Sequence, residues 1–175
     1  MTISRRVLLG AALALPFTVR GQTGCGAPTE ADIEGPFYKA GAPLRANLVD
    51  SGSTADKMVL TGIVRAADCK PLSGVALDFW HADDKGEYDG AGYRYRGIVT
   101  TDYQGRYRLE TNMPPPYSGR PRHIHVKLRR IGAPALTTQL YFPGESRNAP
   151  NGLVLKMERG AEARFASYDF VLAGR

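Results

Sequence analysis

The stretch RPRHIHVKL, from Arg120 to Leu128, places two histidines one residue apart in a chain with only 3 histidines. In an extended strand, residues i and i+2 point to the same face, so His123 and His125 are expected to lie side by side while Ile124 faces the other way. This alternation predicts a β-strand. Two neighbouring imidazoles on one face of a strand suggest a metal site.

Short apolar segments, separated by turn sequences such as DDKG, DYQG and FPGE, predict further strands on both sides of the histidine strand. Together with RHIHVKLRR (122–130), these segments are KMVLTGIVRA (57–66), GVALDFWHA (74–82), YRGIVTTD (95–102), RYRLET (106–111), LTTQLYFPG (136–144) and ARFASYDFVLAG (163–174). Seven short strands predict an all-β fold, either a sandwich or a barrel. Little helix is expected, and only GAEARF (160–165) favours a short one.

Composition and charge limit the classes of protein to consider. A chain of 175 residues with 43% hydrophobic residues suits one domain with an ordinary core and argues against disorder. The formal net charge of +6 falls to +3 if a leader that carries Arg5, Arg6 and Arg20 is removed. The remaining chain has no basic run with interleaved aromatic residues, so a nucleic-acid partner is not expected.

The amino terminus, MTISRRVLLGAALALPFTVRG, has the pattern of an export signal. The paired arginines Arg5 and Arg6 precede an apolar run from Val7 to Val19, which is too short to span a membrane comfortably. The arginine pair indicates the twin-arginine route. We therefore expect residues 1–24 to be an export signal, with its cleavage position left open. Residues 25–175 would form an exported domain without a membrane span.

The two cysteines, Cys25 and Cys69, would then lie in an oxidising compartment. An even pair in a small exported domain predicts a disulfide, here tethering the start of the mature domain to the chain before Pro71. Two buried thiols, or lipidation of Cys25 after signal cleavage, are the alternatives. The preceding residues GQTG make a poor lipidation signal.

Tyrosines near the histidine strand narrow the choice of metal, because two histidines alone do not distinguish zinc, copper and iron. Tyr117 lies in PPPYSGRPRHIH, where prolines stiffen the backbone, and Tyr93 lies in GYRYRG. Phenolate is a hard anionic oxygen donor, so a pair of phenolates would favour ferric iron. Taken singly, each tyrosine could equally be a core or surface aromatic residue.

Five segments, in this order, resemble the intradiol ring-cleavage dioxygenases, the family that includes catechol 1,2-dioxygenase and protocatechuate 3,4-dioxygenase. The segments are EGPFYKAGAP (34–43), LTGIVRAADCKPLSGVALDFWHADDKGEYD (60–89), YRGIVTTDYQGRYRLET (95–111), PPPYSGRPRHIHVKL (114–128) and LTTQLYFPG (136–144). They span nearly the whole expected mature chain. The resemblance implies the β-sandwich catalytic core of that family.

The resemblance also implies one non-haem Fe(III) per chain, with two tyrosines and two histidines as its ligands. These positions fall on Tyr93, Tyr117, His123 and His125, with Tyr117 as the axial ligand and Tyr93 as an equatorial one. Tyr95 is the alternative to Tyr93, because it is only two residues away. Tyr93 is favoured by its spacing to the following TD pair.

Catalytic and substrate-binding roles are implied in the same way. Arg120 matches the arginine of the family's RP-HIH motif, where a guanidinium would bind the substrate and stabilise negative charge on its ring. Gln139 matches the TTQ motif and would support the metal ligands. Tyr117 would take a substrate proton, and Phe37 and Tyr38 fall at the apolar wall of the substrate pocket.

The implied reaction is cleavage of a catechol-type diol by O2, between its two oxygenated carbons, to a muconate-type dicarboxylic acid. No organic cofactor is implied. The particular catechol and the oligomeric state are left open, and Lys39, Arg94 and Arg96 are candidates to receive a substrate carboxylate.

Two other classes of function remain open at this stage. His81, in FWHAD, could join His123 and His125 in a zinc site of hydrolase type, although the resemblance assigns His81 to packing. The chain could also be a non-catalytic extracellular β-sandwich binding module, since a fold does not by itself confer catalysis. The joint presence of the four ligand positions with Arg120 and Gln139 favours the enzyme.

Overall fold

The computed structural model describes residues 25–116, 118–145 and 150–174. The predicted export signal at 1–24 and the predicted axial ligand Tyr117 lie outside the described residues. Within the described ranges, no helix is long and apolar enough to cross a membrane.

Strands dominate the described chain, which confirms the predicted all-β sandwich. A single turn of 3-10 helix lies at Asn151–Leu153. The nine strands are β1 (Lys57–Ala66), β2 (Ala76–Trp80), β3 (Arg96–Thr100), β4 (Arg106–Asn112), β5 (His123–Arg129), β6 (Leu136–Tyr141), β7 (Lys156–Arg159), β8 (Arg164–Ser167) and β9 (Phe170–Leu172).

The carboxy-terminal third differs from the prediction in three respects. Strand β7 was not expected, and the predicted strand at 163–174 is divided into β8 and β9, which both pair with β1 in parallel. At the division, the Tyr168 N–H donates to the Thr61 carbonyl, and the Ile63 N–H of β1 donates to the Asp169 side chain. The short helix expected at 160–165 is wrong, because this stretch forms the turn between β7 and β8 and the start of β8.

Two sheets pack face to face around the core. One sheet has the order β4-β1-β8-β7, with β9 also paired to β1, and the other has the order β3-β2-β5-β6. Leu60 and Leu109 from the first sheet, and Phe79, Val126 and Leu140 from the second, are fully buried. Each such side chain contributes about 1.5–3 kcal/mol to folding through its burial.

The other face of the β3-β2-β5-β6 sheet is also covered, and the side chains that point to it are more polar. Directly opposed residues on neighbouring strands point to the same face. The strand register aligns one row of side chains across all four strands, and His123 on β5 lies opposite Tyr141 on β6. The row consists of Arg96, Trp80, His125 and Gln139.

An extended stretch before β1, residues 28–47, lies over this outer face, and we call it the covering segment. Its backbone-to-backbone hydrogen bonds to the strands lie near its two ends, and the described backbone between Asp32 and Pro43 makes none. The Thr29 N–H donates to the Val171 carbonyl at 2.8 Å and the Asp32 N–H to the Thr137 carbonyl at 3.0 Å. At the other end, the Arg45 N–H donates to the Ile98 carbonyl at 3.0 Å, and the carbonyls of Pro43 and Ala46 accept from Ile98 and Glu110 at 2.9 and 2.7 Å. Side-chain contacts, described below, provide much of its remaining attachment.

The disulfide predicted between Cys25 and Cys69 is present, with 4.9 Å between the two Cα atoms. Neither cysteine is free. The bond joins residues 44 apart in sequence and so anchors the chain just before the covering segment. A loop of this length corresponds to about 4 kcal/mol of stabilisation when only the entropy of the unfolded chain is counted.

Candidate metal centre and active site

His123 and His125 occupy the first and third positions of β5 and are both buried on the covered face. Their ring centroids lie 4.9 Å apart. Trp80, opposite His125 on β2, stacks on the His125 ring with the centroids 4.8 Å apart and the planes 6° from parallel. The predicted side-by-side arrangement of the two imidazoles is therefore present.

The remaining nitrogens of the pair converge on a single phenol, that of Tyr88. The Nδ1 atom of His123 donates to the Pro121 carbonyl at 2.7 Å, because a carbonyl can only accept, and this leaves the lone pair on Nε2. That Nε2 lies 3.3 Å from the Tyr88 hydroxyl, and the Nε2 of His125 lies 3.2 Å from the same oxygen. A phenol has one proton, so it can donate to only one of the two nitrogens.

Burial keeps both imidazoles uncharged. Burial is the main cause, and the proximity of His123 the next, of a pKa for His125 lowered to about 2. Burial also lowers the pKa of His123, against the opposing effect of its hydrogen bond to Pro121. A neutral imidazole has the free lone pair that a metal ligand requires, so both residues are ready to bind a cation at neutral pH.

The donor set fits the predicted ferric ion. The Nε2 atoms of His123 and His125 both lie within 3.3 Å of the Tyr88 hydroxyl oxygen, so two nitrogens and one oxygen are close together. The Nδ1 atom of His125 is buried and has no hydrogen-bond partner among the described residues. A phenolate beside two neutral imidazoles is a hard oxygen and nitrogen set suited to Fe(III).

Tyr93 and Tyr95, the two tyrosines considered for the equatorial position, lie elsewhere. The Tyr93 hydroxyl donates to the Ala40 carbonyl at 3.0 Å. The Tyr95 side chain is buried and its hydroxyl donates to the Asn112 side chain at 3.2 Å. The structure brings Tyr88, which sequence reasoning missed, to the histidines instead. Its signal was available, since Tyr88 stands at the end of the segment FWHADDKGEYD that resembles the family.

Tyr88 is held in place by its own loop and by the covering segment. The Phe37 ring stacks on the Tyr88 ring with 4.4 Å between centroids and 7° between planes. The Asp89 carboxylate accepts from two later N–H groups of the same loop. From outside, the Lys39 ammonium donates to the three carbonyls of residues 90–92 at 3.1, 2.7 and 3.2 Å. The predicted contact of Phe37 with the site is thus indirect, through Tyr88.

Arg120 and Gln139 are brought together beside the histidines, as the resemblance implied. The Arg120 guanidinium donates to the Gln139 side-chain oxygen at 2.8 Å and to the Tyr141 hydroxyl at 3.2 Å. Gln139 lies opposite His125 and Tyr141 lies opposite His123. Tyr141 was not anticipated, although its position two residues after Gln139 on a strand places it on the same face.

The Tyr141 hydroxyl keeps its proton at neutral pH. Burial raises the pKa of Tyr141 to about 12, and its hydrogen bond to Asp32 contributes to the rise. Tyr141 therefore acts as a hydrogen-bond donor to Asp32 while it accepts from Arg120.

Tyr38, predicted to lie at the apolar wall of the substrate pocket, has polar and charged neighbours in the structure. Its hydroxyl donates to the Asp78 carboxylate at 3.0 Å and accepts from Arg129. The Lys127 ammonium lies 3.9 Å from the centre of the Tyr38 ring. The Tyr38 and Trp80 ring centroids lie 5.0 Å apart with the rings tilted. Tyr38 thus lies between Trp80 and a cluster of charged side chains.

All three cations considered for a substrate carboxylate have partners within the protein. The Lys39 ammonium is occupied by the loop carbonyls, and Arg94 pairs with Asp83 at 2.9 Å. Arg96 is buried and its Nε donates to the Asp89 carbonyl at 3.1 Å. Lys39 and Arg94 therefore hold the Tyr88 loop and its surroundings in shape.

His81 is not part of the histidine site. Its Nδ1 donates to the Ala82 carbonyl at 2.7 Å, and its Nε2 accepts from the Thr111 hydroxyl at 2.7 Å. Burial lowers the pKa of His81 to about 4. Over the described ranges, no three His, Cys, Asp or Glu side chains form a group that could hold a metal. The three-histidine zinc site considered from the sequence is therefore not supported.

Gly35 brings the covering segment into contact with the site. It has φ of +71°, and a Cβ atom added there would lie 3.4 Å from Cε1 of His125. Gly35→Ala should cost about 1–2 kcal/mol, because an L-residue is strained in this conformation. The strain would also shift the backbone that carries Phe37, so iron content and turnover should both fall. Urea denaturation, iron analysis and an activity assay would measure these effects.

Gly74→Ala is the matched control for this prediction. Gly74 has the same φ of +71°, but no atom lies within 4 Å of an added Cβ. It should therefore lose similar stability and keep its activity. Equal loss of activity in both variants would show that Gly35 matters only for folding.

Comparison with known proteins identifies the family. The family model described as Dioxygenase matches residues 33–122. Chlorocatechol 1,2-dioxygenase of Pseudomonas sp. (strain P51) is 30% identical over 172 residues, covering 80% of this chain and 68% of the relative. Catechol 1,2-dioxygenase of Acinetobacter baylyi is 34% identical, with 67% of this chain and 47% of the relative covered. The chain thus spans between about half and two thirds of these relatives.

Solved structures extend the likeness to the fold. The dioxygenase domain of a dioxygenase and carbohydrate-binding protein fusion from Streptomyces sp. SirexAA-E is 42% identical, with a TM-score of 0.81 over 85% of this chain and 100% of that domain. 3-Chlorocatechol 1,2-dioxygenase from Rhodococcus opacus 1CP is 28% identical, with a TM-score of 0.76 over 83% of this chain and 73% of its own. Sequence and fold agree, and the chain belongs to the intradiol ring-cleavage dioxygenase family.

Proposed function

We propose that the protein is a non-haem Fe(III)-dependent dioxygenase that cleaves a catechol-type diol between its two oxygenated carbons. Both atoms of O2 would enter the product, a muconate-type dicarboxylic acid. The observation that carries this proposal is the convergence of His123 Nε2 and His125 Nε2 on the Tyr88 hydroxyl, at 3.3 and 3.2 Å. The names of the relatives, catechol and chlorocatechol 1,2-dioxygenases, supply the substrate class.

In this proposal Tyr88, His123 and His125, together with Tyr117, hold one ferric ion per chain. Tyr88 would be the second tyrosine ligand, for which the sequence had favoured Tyr93. The assignment of Tyr117 rests on the sequence resemblance. When bound, ferric iron supplies a Lewis-acidic, electron-accepting centre that makes a bound catechol dianion reactive towards O2.

The protein's own residues would prepare the substrate and stabilise its charge. Tyr117 is the proposed acceptor of one hydroxyl proton of the catechol. The Arg120 guanidinium would stabilise the negative charge that develops on the ring, which is most effective in a site with little water. Trp80 on His125 and Phe37 on Tyr88 cover the ligands with aromatic rings and so limit access of water.

We further propose that the protein acts outside the cytoplasm. The disulfide between Cys25 and Cys69 is of the kind that persists in oxidising compartments. The structurally similar Streptomyces domain belongs to a fusion with a carbohydrate-binding protein from a cellulolytic bacterium. The leader at residues 1–24 would direct the export.

Product analysis tests the proposed reaction. Purified, iron-loaded protein would be incubated with catechol under 18O2, and the products separated by mass spectrometry. We expect a red-brown protein with about one iron per chain and a diacid that contains two labelled oxygen atoms. A semialdehyde would indicate cleavage outside the diol, and a colourless protein with stoichiometric zinc would contradict the ligand set. A binding module would show neither iron nor turnover.

A further inference from the structure

Two chains of hydrogen bonds lead from Arg120 to the covering segment. In the first, Arg120 donates to the Tyr141 hydroxyl at 3.2 Å, and that hydroxyl donates to the Asp32 carboxylate at 2.7 Å. In the second, the same Arg120 nitrogen donates to the Gln139 side-chain oxygen at 2.8 Å, and the Gln139 amide donates to the Ile33 carbonyl at 2.7 Å. Both chains end on adjacent residues of the covering segment.

The direction of each hydrogen bond is fixed by chemistry. A guanidinium can only donate and a carboxylate can only accept, so the single proton of Tyr141 must point to Asp32. The Ile33 carbonyl likewise requires the amide nitrogen of Gln139 to face it, which turns the Gln139 oxygen towards Arg120. Each intermediate group therefore has one arrangement that satisfies both of its neighbours.

The sheet provides a firm base for both chains. Gln139 and Tyr141 point to the same face of β6, and each is paired across the strands with one of the two histidines. Gln139 is fully buried and Tyr141 is 5% exposed. Gln139 and Tyr141 thus fix the position of one Arg120 nitrogen beside the histidines.

The negative charge of the Asp32 carboxylate also lies close to the positive charge of Arg120. It lies one hydroxyl away from the guanidinium, so it offsets the positive charge through Tyr141 without a direct ion pair between the two. A direct pair would draw the guanidinium towards its carboxylate, because such pairs are strong and bidentate. Arg120 keeps donors for another anionic group.

We propose that Tyr141 and Asp32 are positioning residues that hold Arg120 for its role in the reaction. This inference rests on the proposed dioxygenase function. Asp32 belongs to the covering segment and Tyr141 to β6, so the arginine is oriented only when that segment is seated on the sheet. The two residues act through Arg120 and make no contact with the substrate.

Tyr141→Phe and Asp32→Asn are the variants that test this proposal in the iron-loaded enzyme. Each should lower kcat about 10- to 100-fold, as is typical when a supporting partner is removed, with little change in KM for catechol. Iron content and the visible spectrum should match those of the unaltered enzyme. Tyr107→Phe, which removes a hydroxyl bonded to the Tyr168 carbonyl at 2.8 Å in the core, is the matched control and should keep its kcat.

A double-mutant cycle separates positioning from other roles. If Tyr141 acts through Arg120, Tyr141→Phe should have no further effect on kcat in an Arg120→Ala background. An equal loss in both backgrounds would overturn the proposal, as would an unchanged kcat in the single variants. A crystal structure of Tyr141→Phe should show the guanidinium displaced from Gln139, and an unmoved guanidinium would also count against it. Absence of turnover in the unaltered enzyme would instead contradict the proposed function.

Discussion

Tyr88→Phe is expected to weaken the visible tyrosinate-to-iron band and to lower activity by more than about 100-fold, since loss of even an outer partner of a metal ligand costs 10- to 100-fold. Tyr93→Phe should leave both properties unchanged. The reason is geometric. The Tyr88 oxygen lies 3.3 and 3.2 Å from the Nε2 atoms of His123 and His125, whereas the Tyr93 hydroxyl donates to the Ala40 carbonyl.

The two variants form a matched pair, because each removes one hydroxyl from a tyrosine of the same loop region. Iron content, the absorption spectrum and turnover of catechol would be measured for both after identical loading with iron. Urea denaturation would show that both are folded. The opposite result, with Tyr93→Phe bleached and Tyr88→Phe coloured and active, would restore the ligand set inferred from the sequence.

Arg120→Ala should slow turnover by about 10²–10³-fold, which is the usual cost of removing one preorganised electrostatic donor. Iron binding should persist, because the hydrogen bonds of the Arg120 guanidinium to the described residues go to Gln139 and Tyr141 and not to the two histidines. Binding of catechol under nitrogen should also persist. The loss would therefore fall on the step with oxygen.

Stopped-flow mixing of the anaerobic catechol complex with oxygenated buffer would measure that step directly. Arg108→Ala is the control, since Arg108 forms an exposed ion pair with Glu110 at 3.0 Å on the other sheet. It should react at the rate of the unaltered enzyme. Undiminished turnover of Arg120→Ala would show that the guanidinium has no role in the chemistry.

The sequence predicts well those features that depend on strand periodicity. Alternation in RPRHIHVKL correctly places His123 and His125 side by side on one face. The two-cysteine argument correctly predicts the pairing of Cys25 with Cys69. These features follow from local geometry or from a count, so neither needs knowledge of distant contacts.

Features that depend on irregular loops do not follow from strand periodicity. Between β2 and β3 the chain turns around the side chains of Asp83 and Asp89, each of which accepts hydrogen bonds from two backbone N–H groups. These turns decide that Tyr88 faces inward and Tyr93 faces Ala40, and no period of 2 or 3.6 residues encodes such a path. The role of Tyr38 was missed for a similar reason, because its partners Asp78 and Arg129 lie on separate strands.

The disulfide has a consequence for the dynamics of the site. The middle of the covering segment, which carries Gly35 and Phe37, makes no backbone-to-backbone hydrogen bond to the strands between Asp32 and Pro43 among the described residues, and such stretches are where local opening is most frequent. Because Cys25 stays bonded to Cys69, an opened segment remains tethered near the site. The segment can then open only as a loop held at both ends, by the disulfide and by β1, and not as a free arm. The site can thus open transiently while the residues that complete it stay close to it.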